Sequence, residues 1–279
     1  MPVRDGTQPL TAAEQPWRSL RAWLVTLTGF GLLGAGCLLW SALALPFRLA
    51  LPRCRGARLG RLAAMYGFRI YLVLLRLLGA ARFDLRSLDA LRDAGPLILA
   101  ANHPGLLDAP MIVSRLPNVV CILKAALIDN PLWGNGAQLA CYIRNDWFMG
   151  SVHRAVDVLQ RGSQLLLFPE GSRTENLPLD PFLSGVAIVS HRSGVPVQTL
   201  LIEQDTRFLG KGLPLFSRPD MPMHFRIRLG RRFDPPQDPR QFTRALHDYF
   251  LQELEPSAIA CHDRSQPDPS GLDPQLQSR

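Results

Sequence analysis

Two stretches decide the fold, Phe168-Pro169-Glu170-Gly171-Ser172-Arg173-Thr174 and, upstream of it, Asn102-His103-Pro104-Gly105-Leu106-Leu107-Asp108. Each follows a short apolar run, residues 96–101 in one case and 164–167 in the other, and each contains an early proline that cannot continue a strand. Runs of this length are typical of buried parallel strands, and open α/β sheets bind ligands at the carboxyl ends of such strands. The two stretches are therefore predicted to deliver polar side chains to one crevice.

Together these motifs resemble the signature of the glycerolipid acyltransferases, the family typified by bacterial 1-acylglycerol-3-phosphate acyltransferase. That signature is an Asn-His pair followed after four residues by Asp, and then a Phe-Pro-Glu-Gly-(Ser/Thr)-Arg motif. Here Asn102, His103 and Asp108 match the first motif and 168–173 match the second, in the same order. The resemblance covers residues 60–230 and implies an acyl transfer reaction.

Acyl transfer to a hydroxyl suggests a role for each matching side chain. His103 is the natural base for the hydroxyl proton, and Asp108, in the first turn of the next helix, can accept the other imidazole N–H and fix the tautomer. Arg173 offers a planar fork for an acceptor phosphate, and Gly171 lets backbone approach closely. Glu170 has two interpretations, orienting the acceptor or holding Arg173, and the resemblance implies only that it belongs to the site.

Two further residues are predicted to assist at the acceptor site. Arg144 follows Tyr142-Ile143, which resembles the family's middle motif without its spacer and its preceding glycine, so an ordinary strand-end arginine is the alternative. Lys124 follows a predicted strand where the family often carries a substrate-facing lysine, and a solvated loop lysine is the alternative. These departures concern the identity of the acceptor rather than the reaction class.

The chain of 279 residues is basic, with 31 Lys+Arg against 23 Asp+Glu and a pI near 9.8. An anionic partner is expected, and either nucleic acid or an anionic membrane surface would fit. A membrane with anionic lipids is favoured over nucleic acid, because the arginines gather beside the most apolar part of the chain and no zinc-finger or RNA-binding motif is present. The scattered cysteines contain no C-x-x-C pair, which indicates reduced thiols in a protein that faces the cytosol.

Residues 17–80 are predicted to form a two-helix membrane element. Residues 22–47 carry no charge, and as a helix they would be about 39 Å long, more than the roughly 30 Å core of a bilayer, with Pro46 as the predicted end. Glycines in this run leave open a helix that bends back within one leaflet instead of spanning. The arginine excess after the run places that side in the cytoplasm, so the expected location is the cytoplasmic face of a membrane, the inner membrane in a bacterium.

The second helix of this element, residues 55–79, carries a basic stripe. At about 100° per residue its arginines fall within one sector, and most of the remaining surface is apolar. The stripe consists of Arg55, Arg58, Arg61, Arg69 and Arg76. Such a helix suits the headgroup boundary of a bilayer, and the alternative is a helix packed on the domain with a solvated basic edge.

From Phe83 onward strands and helices alternate, which predicts an α/β domain over residues 81–254, with a mixed, largely parallel central sheet flanked by helices. Strands are predicted at 96–101, 118–123, 139–144, 164–168, 196–202 and 223–229, and helices at 106–115, 131–137, 149–161, 182–192 and 239–253. The terminal segments 1–16 and 255–279 are polar and proline-containing and are predicted to be disordered. Residues 204–222 are predicted to form a loop near a membrane or an acidic partner.

These expectations combine into a membrane-associated O-acyltransferase of phospholipid biosynthesis that uses no metal or redox cofactor. The predicted donor is acyl-CoA or acyl carrier protein, and the leading acceptor is the lysophospholipid 1-acylglycerol-3-phosphate. A lyso-ornithine lipid or another specialised lipid is an alternative acceptor, because it needs the same base but fewer phosphate ligands. The other functional classes are a lipid-binding or scaffolding protein that keeps the fold without the chemistry, and a hydrolase that uses water as acceptor.

Overall fold

A computed structural model of the chain describes residues 14–132, 134–176, 178–206, 208–210 and 221–263. Its strands are β1 (Ala81–Asp84), β2 (Ile98–Ala101), β3 (Val119–Lys124), β4 (Ile143–Asn145), β5 (Gln164–Leu167), β6 (Val197–Gln204) and β7 (Met223–Phe233). They form one seven-stranded sheet in the order β1-β7-β6-β2-β5-β3-β4. Every neighbouring pair is parallel except β6 with β7, so the predicted mixed, largely parallel sheet is confirmed.

Helices cover both faces of this sheet, and two long helices precede the sheet in the chain. They are α1 (Glu14–Ala50), α2 (Arg53–Leu77), α3 (Asp108–Val113), α4 (Ala125–Ile128), α5 (Gly134–Leu139), α6 (Phe148–Gln160), α7 (Gly185–Ser193) and α8 (Pro239–Asp263), with a 3-10 helix (Arg86–Leu91) after β1. Residues of α2 and α3 pack on one face in a core that includes Leu72 and Met111. Residues of α6, α7 and α8 pack on the other face, where Phe250 is fully buried.

The central strands are apolar on both sides, as expected for parallel strands whose two faces are covered. Leu99 of β2 belongs to the core beneath α2 and α3, whereas Ile98 and Ala100 belong to the core beneath α6, α7 and α8. Because β2 lies between β5 and β6 and runs parallel to both, the carboxyl ends of these three strands meet at one edge of the sheet. The two sequence motifs follow two of these strand ends.

α1 and α2 form an antiparallel hairpin, and α1 contacts the rest of the protein near both of its ends. A Cβ built on Gly79, just after α2, would lie 3.1 Å from Arg21 near the start of α1, and a Cβ on Gly29 in its middle would lie 3.1 Å from Leu75 of α2. Near the end of α1, Arg48 donates a hydrogen bond to Asn135 of α5 at 2.7 Å. Of the helices that the structure describes, only α1, over Leu20–Ala50, is long and apolar enough to cross a membrane, judged by length and composition, and little of this stretch is buried in the protein.

α2 is attached to the domain on the side predicted to face lipid. A Cβ on Gly60 would lie 2.5 Å from the backbone nitrogen of Ala140, so the two backbones are in contact. Arg61 donates hydrogen bonds to the Ala140 carbonyl at 3.1 Å, to Asn118 at 2.6 Å and to Ser163 at 2.7 Å. The basic-stripe prediction is therefore wrong for Arg61, whose partly buried guanidinium is stabilised by these acceptors.

Several boundaries differ from the predictions. α1 continues through Pro46, which lacks the N–H for the backbone hydrogen bond to residue 42 but does not end the helix. The strand predicted over 139–144 is wrong in its first part, since α5 runs to Leu139 and Cys141 adopts a left-handed turn with φ 56°. The four-residue strand β1 was not predicted, because its residues Ala81–Asp84 alternate over too short a length to be recognised.

Both terminal segments predicted to be disordered are partly helical. α1 begins at Glu14, with Pro16 in its first turn, where proline is tolerated. α8 extends to Asp263, and its end contains the helix-favouring residues 258–260. Residues 1–13 and 264–279 lie outside the described residues. The same holds for the basic residues of the predicted loop 204–222, which are Arg207, Lys211 and Arg218.

Candidate active site

His103 and Asp108 lie just beyond the carboxyl end of β2 and form the hydrogen bond that the sequence predicts. His103 Nδ1 is 2.7 Å from Asp108 Oδ2, and the same oxygen accepts the backbone N–H of Gly105 at 2.8 Å. Since this oxygen acts as an acceptor, the ring proton is assigned to Nδ1, and Nε2 keeps a lone pair. The His103 side chain is 20% exposed, so the imidazole is partly open to solvent.

The Asp108 carboxylate is held in an environment that disfavours its charge. The group is fully buried, and burial raises its pKa, although the hydrogen bond and charge of His103, the Gly105 N–H and the charge of Arg173 partly offset this effect. Its second oxygen, Oδ1, has no hydrogen-bond partner among the described residues, and neither has Oε1 of Gln204. A Cβ on Gly105 would lie 3.6 Å from the first and 3.2 Å from the second, so these two oxygens flank Gly105.

The second motif fixes the turn that carries His103. The Phe168 ring stacks on the imidazole, with centroids 3.9 Å apart and planes 16° apart. Thr174 donates its backbone N–H to the His103 carbonyl at 2.8 Å. Glu170 Oε1 accepts the His103 backbone N–H at 2.9 Å, and its Oε2 accepts the backbone N–H of Asp180 at 3.0 Å. The backbone on both sides of His103 is therefore hydrogen-bonded to the second motif.

The carboxylate of Glu170 is held by the protein's own backbone. Its two oxygens accept the backbone N–H groups of His103 and Asp180, and among the described residues it forms no ion pair with Arg173. Burial raises its pKa, and the N–H groups of Asp180 and His103 lower it in part. In this structure Glu170 positions His103, and its predicted part in substrate binding stays a prediction.

Arg173 and Gly171 are placed by the same turn. Arg173 Nη1 donates to the carbonyls of Leu209 at 3.0 Å and Gly210 at 3.5 Å, which ties the loop after β6 to the site. A guanidinium has five N–H donors, so these bonds leave donors for an anion. Gly171 has φ 73°, and a Cβ there would lie 2.6 Å from Leu183. Glycine is thus favoured by the left-handed turn, whereas the exposed Leu183 side chain could move aside.

Lys124 and Arg144 lie on the same edge of the sheet but progressively farther from His103. With neighbouring strands about 4.8 Å apart, β3 lies about 10 Å from β2 and β4 about 14 Å. Lys124 is exposed at the end of β3. Arg144 is 2.7 Å from Asp129 and 2.9 Å from Asp146, so its charge is already balanced by two carboxylates. The structure therefore brings together His103, Asp108, Glu170 and Arg173, with Lys124 and Arg144 at the periphery.

Asn102 is a buried residue of the first motif to which the sequence analysis assigned no role. Its Nδ2 donates to the Ile202 carbonyl at 2.9 Å, and its Oδ1 accepts the Ile202 N–H at 2.8 Å. The side-chain amide thus continues the pairing of β2 with β6 by one step and fixes the residue before His103. The sequence signal that could have indicated this role is an asparagine directly after an apolar strand.

The comparisons with known proteins agree with this geometry. The model of the Acyltransferase family matches residues 82–203. The 1-acyl-sn-glycerol-3-phosphate acyltransferase alpha of Mus musculus is 27% identical over 184 residues, which cover 61% of this chain and 62% of that protein. Its Homo sapiens counterpart is 27% identical over 176 residues, covering 58% and 60%. The chain spans less than two thirds of the length of these curated relatives.

The fold is also similar to that of a solved structure. The 1-acyl-sn-glycerophosphate acyltransferase PlsC from Thermotoga maritima aligns with a TM-score of 0.67, covering 90% of this chain and 99% of that chain. The sequences are 16% identical, so this likeness concerns the fold alone.

Proposed function

We propose that this chain is a membrane-associated O-acyltransferase of the glycerolipid acyltransferase family. It transfers a fatty acyl group from a thioester donor, acyl-CoA or acyl carrier protein, to the hydroxyl of a lysophospholipid. The observation that carries the proposal is the 2.7 Å hydrogen bond between His103 and the buried Asp108, at the carboxyl end of a central strand.

The reaction needs only groups of the chain and its two substrates. His103 Nε2 takes the proton of the acceptor hydroxyl as the hydroxyl oxygen attacks the thioester carbonyl carbon. The tetrahedral intermediate then collapses, the C–S bond breaks, and the departing thiolate receives the proton from Nε2. Asp108 keeps the proton-accepting tautomer and stabilises the imidazolium, and a positioned base of this kind contributes about 10²–10⁴ in rate. No metal or redox cofactor takes part.

The proposed acceptor is 1-acylglycerol-3-phosphate, because Arg173 is a cation beside the His103–Asp108 pair. Its charge reaches Asp108, whose pKa it lowers in part, so a phosphate held by Arg173 would lie close to the base. The similarity to the 1-acyl-sn-glycerol-3-phosphate acyltransferases alpha of Mus musculus and Homo sapiens supports this acceptor. Lys124 and Arg144 are proposed as auxiliary phosphate ligands from the same edge, and a lyso-ornithine acceptor would depend less on all three residues.

The proposed attachment is to the cytoplasmic face of a membrane, through the hairpin of α1 and α2. Both helices expose large apolar side chains, which would be unfavourable in water. On α1 these include Leu24, Leu39, Leu43 and Leu49, and on α2 they are Tyr66, Ile70, Val73 and Leu77. Because α1 contacts the domain near both of its ends, an in-plane position in one leaflet fits this geometry better than a span.

The test is an assay of purified full-length protein with labelled acyl-CoA and lysophosphatidic acid. We expect diacyl product, and we expect His103→Ala to lower turnover by at least about 10²-fold. His153→Ala is the matched control, because His153 is exposed on α6. Near-normal turnover by the His103 variant would rule out the assignment of the base.

Product analysis separates the alternatives. Free fatty acid in place of diacyl lipid would identify a hydrolase. Lipid binding without turnover for any donor, including acyl carrier protein, would identify a scaffold. Faster turnover of a lyso-ornithine lipid than of lysophosphatidic acid, with little effect of Arg173→Gln, would identify the alternative acceptor.

A further inference from the structure

A second cationic region lies away from Arg173, at the opposite edge of the sheet from β4. An open cavity of about 900 Å³ is formed where the N-terminal part of α1 and the end of α2 meet β1 and β7. Arginines from four separate elements line it, namely Arg21 of α1, Arg76 of α2, Arg82 of β1 and Arg226 of β7. Arginines from four elements that meet at one cavity form a concave cationic region, unlike arginines arranged along the solvent-exposed side of one helix.

The carboxylates of the cavity do not neutralise all of these arginines. Each carboxylate already has a basic partner. The pairs are Glu203 with Arg228 at 2.6 Å, Asp205 with His224 at 2.8 Å and Asp84 with Arg226 at 3.7 Å. Within the described part of the chain, Arg21, Arg76 and Arg82 have no carboxylate within 4.0 Å. Three guanidinium groups that have no carboxylate partner among the described residues therefore surround one cavity, which favours an anion there.

An apolar groove continues from this cavity along α1. It has a volume of about 460 Å³, and Arg21 lines both the groove and the cavity. The other residues that line the groove are Leu20, Leu24, Val25, Thr28 and Leu78. The two regions together present cationic groups at one end and aliphatic side chains at the other. A ligand that fills both has a phosphate at the end of a hydrocarbon chain.

We propose that this composite site binds one molecule of an anionic phospholipid, with its phosphate among Arg21, Arg76 and Arg82 and an acyl chain in the groove. The exposed side chain of Leu77 lies next to Arg76 in the chain, which places the site beside the apolar surface of the hairpin. The phosphate of coenzyme A shares the headgroup chemistry but not the chain, and the groove favours the lipid. Arg173 does not line this cavity, although Gln204, whose side chain flanks Gly105 of the catalytic turn, does.

The test uses calorimetric titration of full-length protein in neutral detergent. The probe is dioctanoyl phosphatidylglycerol, and glycerol 3-phosphate, dioctanoyl phosphatidylcholine and coenzyme A are titrated in parallel. The variant Arg76→Gln/Arg82→Gln removes two charges from the cavity. The matched control Arg55→Gln/Arg58→Gln removes two charges from exposed positions of α2 that do not line it.

We expect the anionic lipid to bind more tightly than the zwitterionic lipid and than glycerol 3-phosphate. The cavity variant should lower the affinity for the anionic lipid at least about tenfold, and the control variant should lower it less than about twofold. Leu24→Ser should lower the affinity for the anionic lipid and leave the affinity for glycerol 3-phosphate unchanged.

An equal loss of affinity in both arginine variants would overturn the proposal, because ordinary surface charge would then explain binding. Tighter binding of coenzyme A than of the lipid, lost in the cavity variant, would reassign the cavity to the donor and also overturn it. Arg21→Gln provides a second, independent variant with the same expectation.

Discussion

Asp108 and Glu170 are both buried carboxylates, but their hydrogen bonds differ. This difference determines whether each residue can be replaced by its amide. In Asp108 one oxygen receives both bonds, from His103 and from the Gly105 N–H, and the other oxygen is unpartnered among the described residues. In Glu170 each oxygen receives one backbone N–H. A side-chain amide has one acceptor oxygen, so it can replace the first arrangement and cannot replace the second.

We therefore expect Asp108→Asn to increase stability and reduce activity. The pKa of Asp108 is raised on folding, so the folded state holds the proton more tightly and the free energy of unfolding falls as pH rises from the ordinary carboxyl pKa through the raised one. Asparagine removes this penalty, and the melting temperature should rise at neutral pH and converge with that of the native chain toward pH 4. The value of kcat should fall by about 10²–10⁴. Thermal unfolding across pH and steady-state assays measure both, and an unchanged kcat would contradict the role of Asp108.

Glu170→Gln should have the opposite effect on stability. The amide NH₂ would face a backbone N–H that now lacks an acceptor, which costs about 1–3 kcal/mol. The melting temperature should fall and kcat should fall with it, because the backbone at His103 is released. If Glu170 instead bound the acceptor, KM would rise while stability stayed constant. Thermal unfolding and a comparison of kcat with KM distinguish the two outcomes.

At this scale the sequence predicts contacts that are local. His103 and Asp108 are five positions apart across a Pro-Gly turn, so their hydrogen bond follows from spacing. The partners of Glu170 are backbone N–H groups at 67 and 10 positions' separation, and no side-chain pattern marks them. The motifs identify the site residues. The hydrogen bonds of Glu170 to the backbone, however, depend on how the ends of two strands meet in the folded protein.

Between elements, α2 closely approaches the turn after α5. A Cβ on Gly60 would lie 2.5 Å from Ala140 backbone, which cannot move as a side-chain end could, whereas a Cβ on Gly67 would meet nothing within 4 Å. Gly60→Ala should thus destabilise the protein by about 1–3 kcal/mol. Gly67→Ala in the same helix should stabilise it by up to about 1 kcal/mol through helix propensity. The melting temperatures of the two variants are compared in the same detergent. Equal shifts in melting temperature would show that the contact of Gly60 with Ala140 does not contribute to stability.

The helical pattern of α2 predicts a helix but not its neighbours. Periodicity places Arg61 in the same sector as Arg58 and therefore toward lipid, yet Gly56 and Gly60 are buried and bring that end of the helix onto the domain. Small residues permit a close approach without adding to an apolar pattern. A hydrophobicity argument thus assigns the wrong environment to one arginine while it identifies the helix correctly.

On the scale of the whole molecule, apolar and cationic surfaces of the hairpin should contribute differently to membrane binding. Ile70→Ser/Leu77→Ser removes exposed apolar side chains, and we expect weaker binding to neutral and anionic vesicles at all salt concentrations. Arg55→Gln/Arg58→Gln should weaken binding to anionic vesicles at low salt only, because salt screens exposed charges within about 8–10 Å. Vesicle sedimentation measures both. Recovery of the native chain in the soluble fraction without detergent would contradict membrane attachment.

The orientation of α1 is the remaining question about the whole molecule, and both ends of the helix bear on it. Near its start, a Cβ on Gly79, just before β1, would lie 3.1 Å from Arg21, and near its end Arg48 is hydrogen-bonded to Asn135. The two ends therefore contact one α/β domain. A helix that crosses the roughly 30 Å core of a bilayer would carry one of its ends away from a domain on the other side.

This geometry predicts the sidedness of chemical labelling. Cys54 is exposed at the start of α2, and Leu20 is exposed near the start of α1, so L20C supplies a second label. Two variants lacking the other cysteines, one keeping Cys54 and one carrying L20C with Cys54→Ser, are treated with a membrane-impermeant maleimide in inside-out and right-side-out vesicles. An in-plane α1 places both positions on the cytoplasmic side, so both label in inside-out vesicles only. A spanning α1 places them on opposite sides, and labelling of position 20 from outside together with Cys54 from inside would show that the helix crosses the membrane.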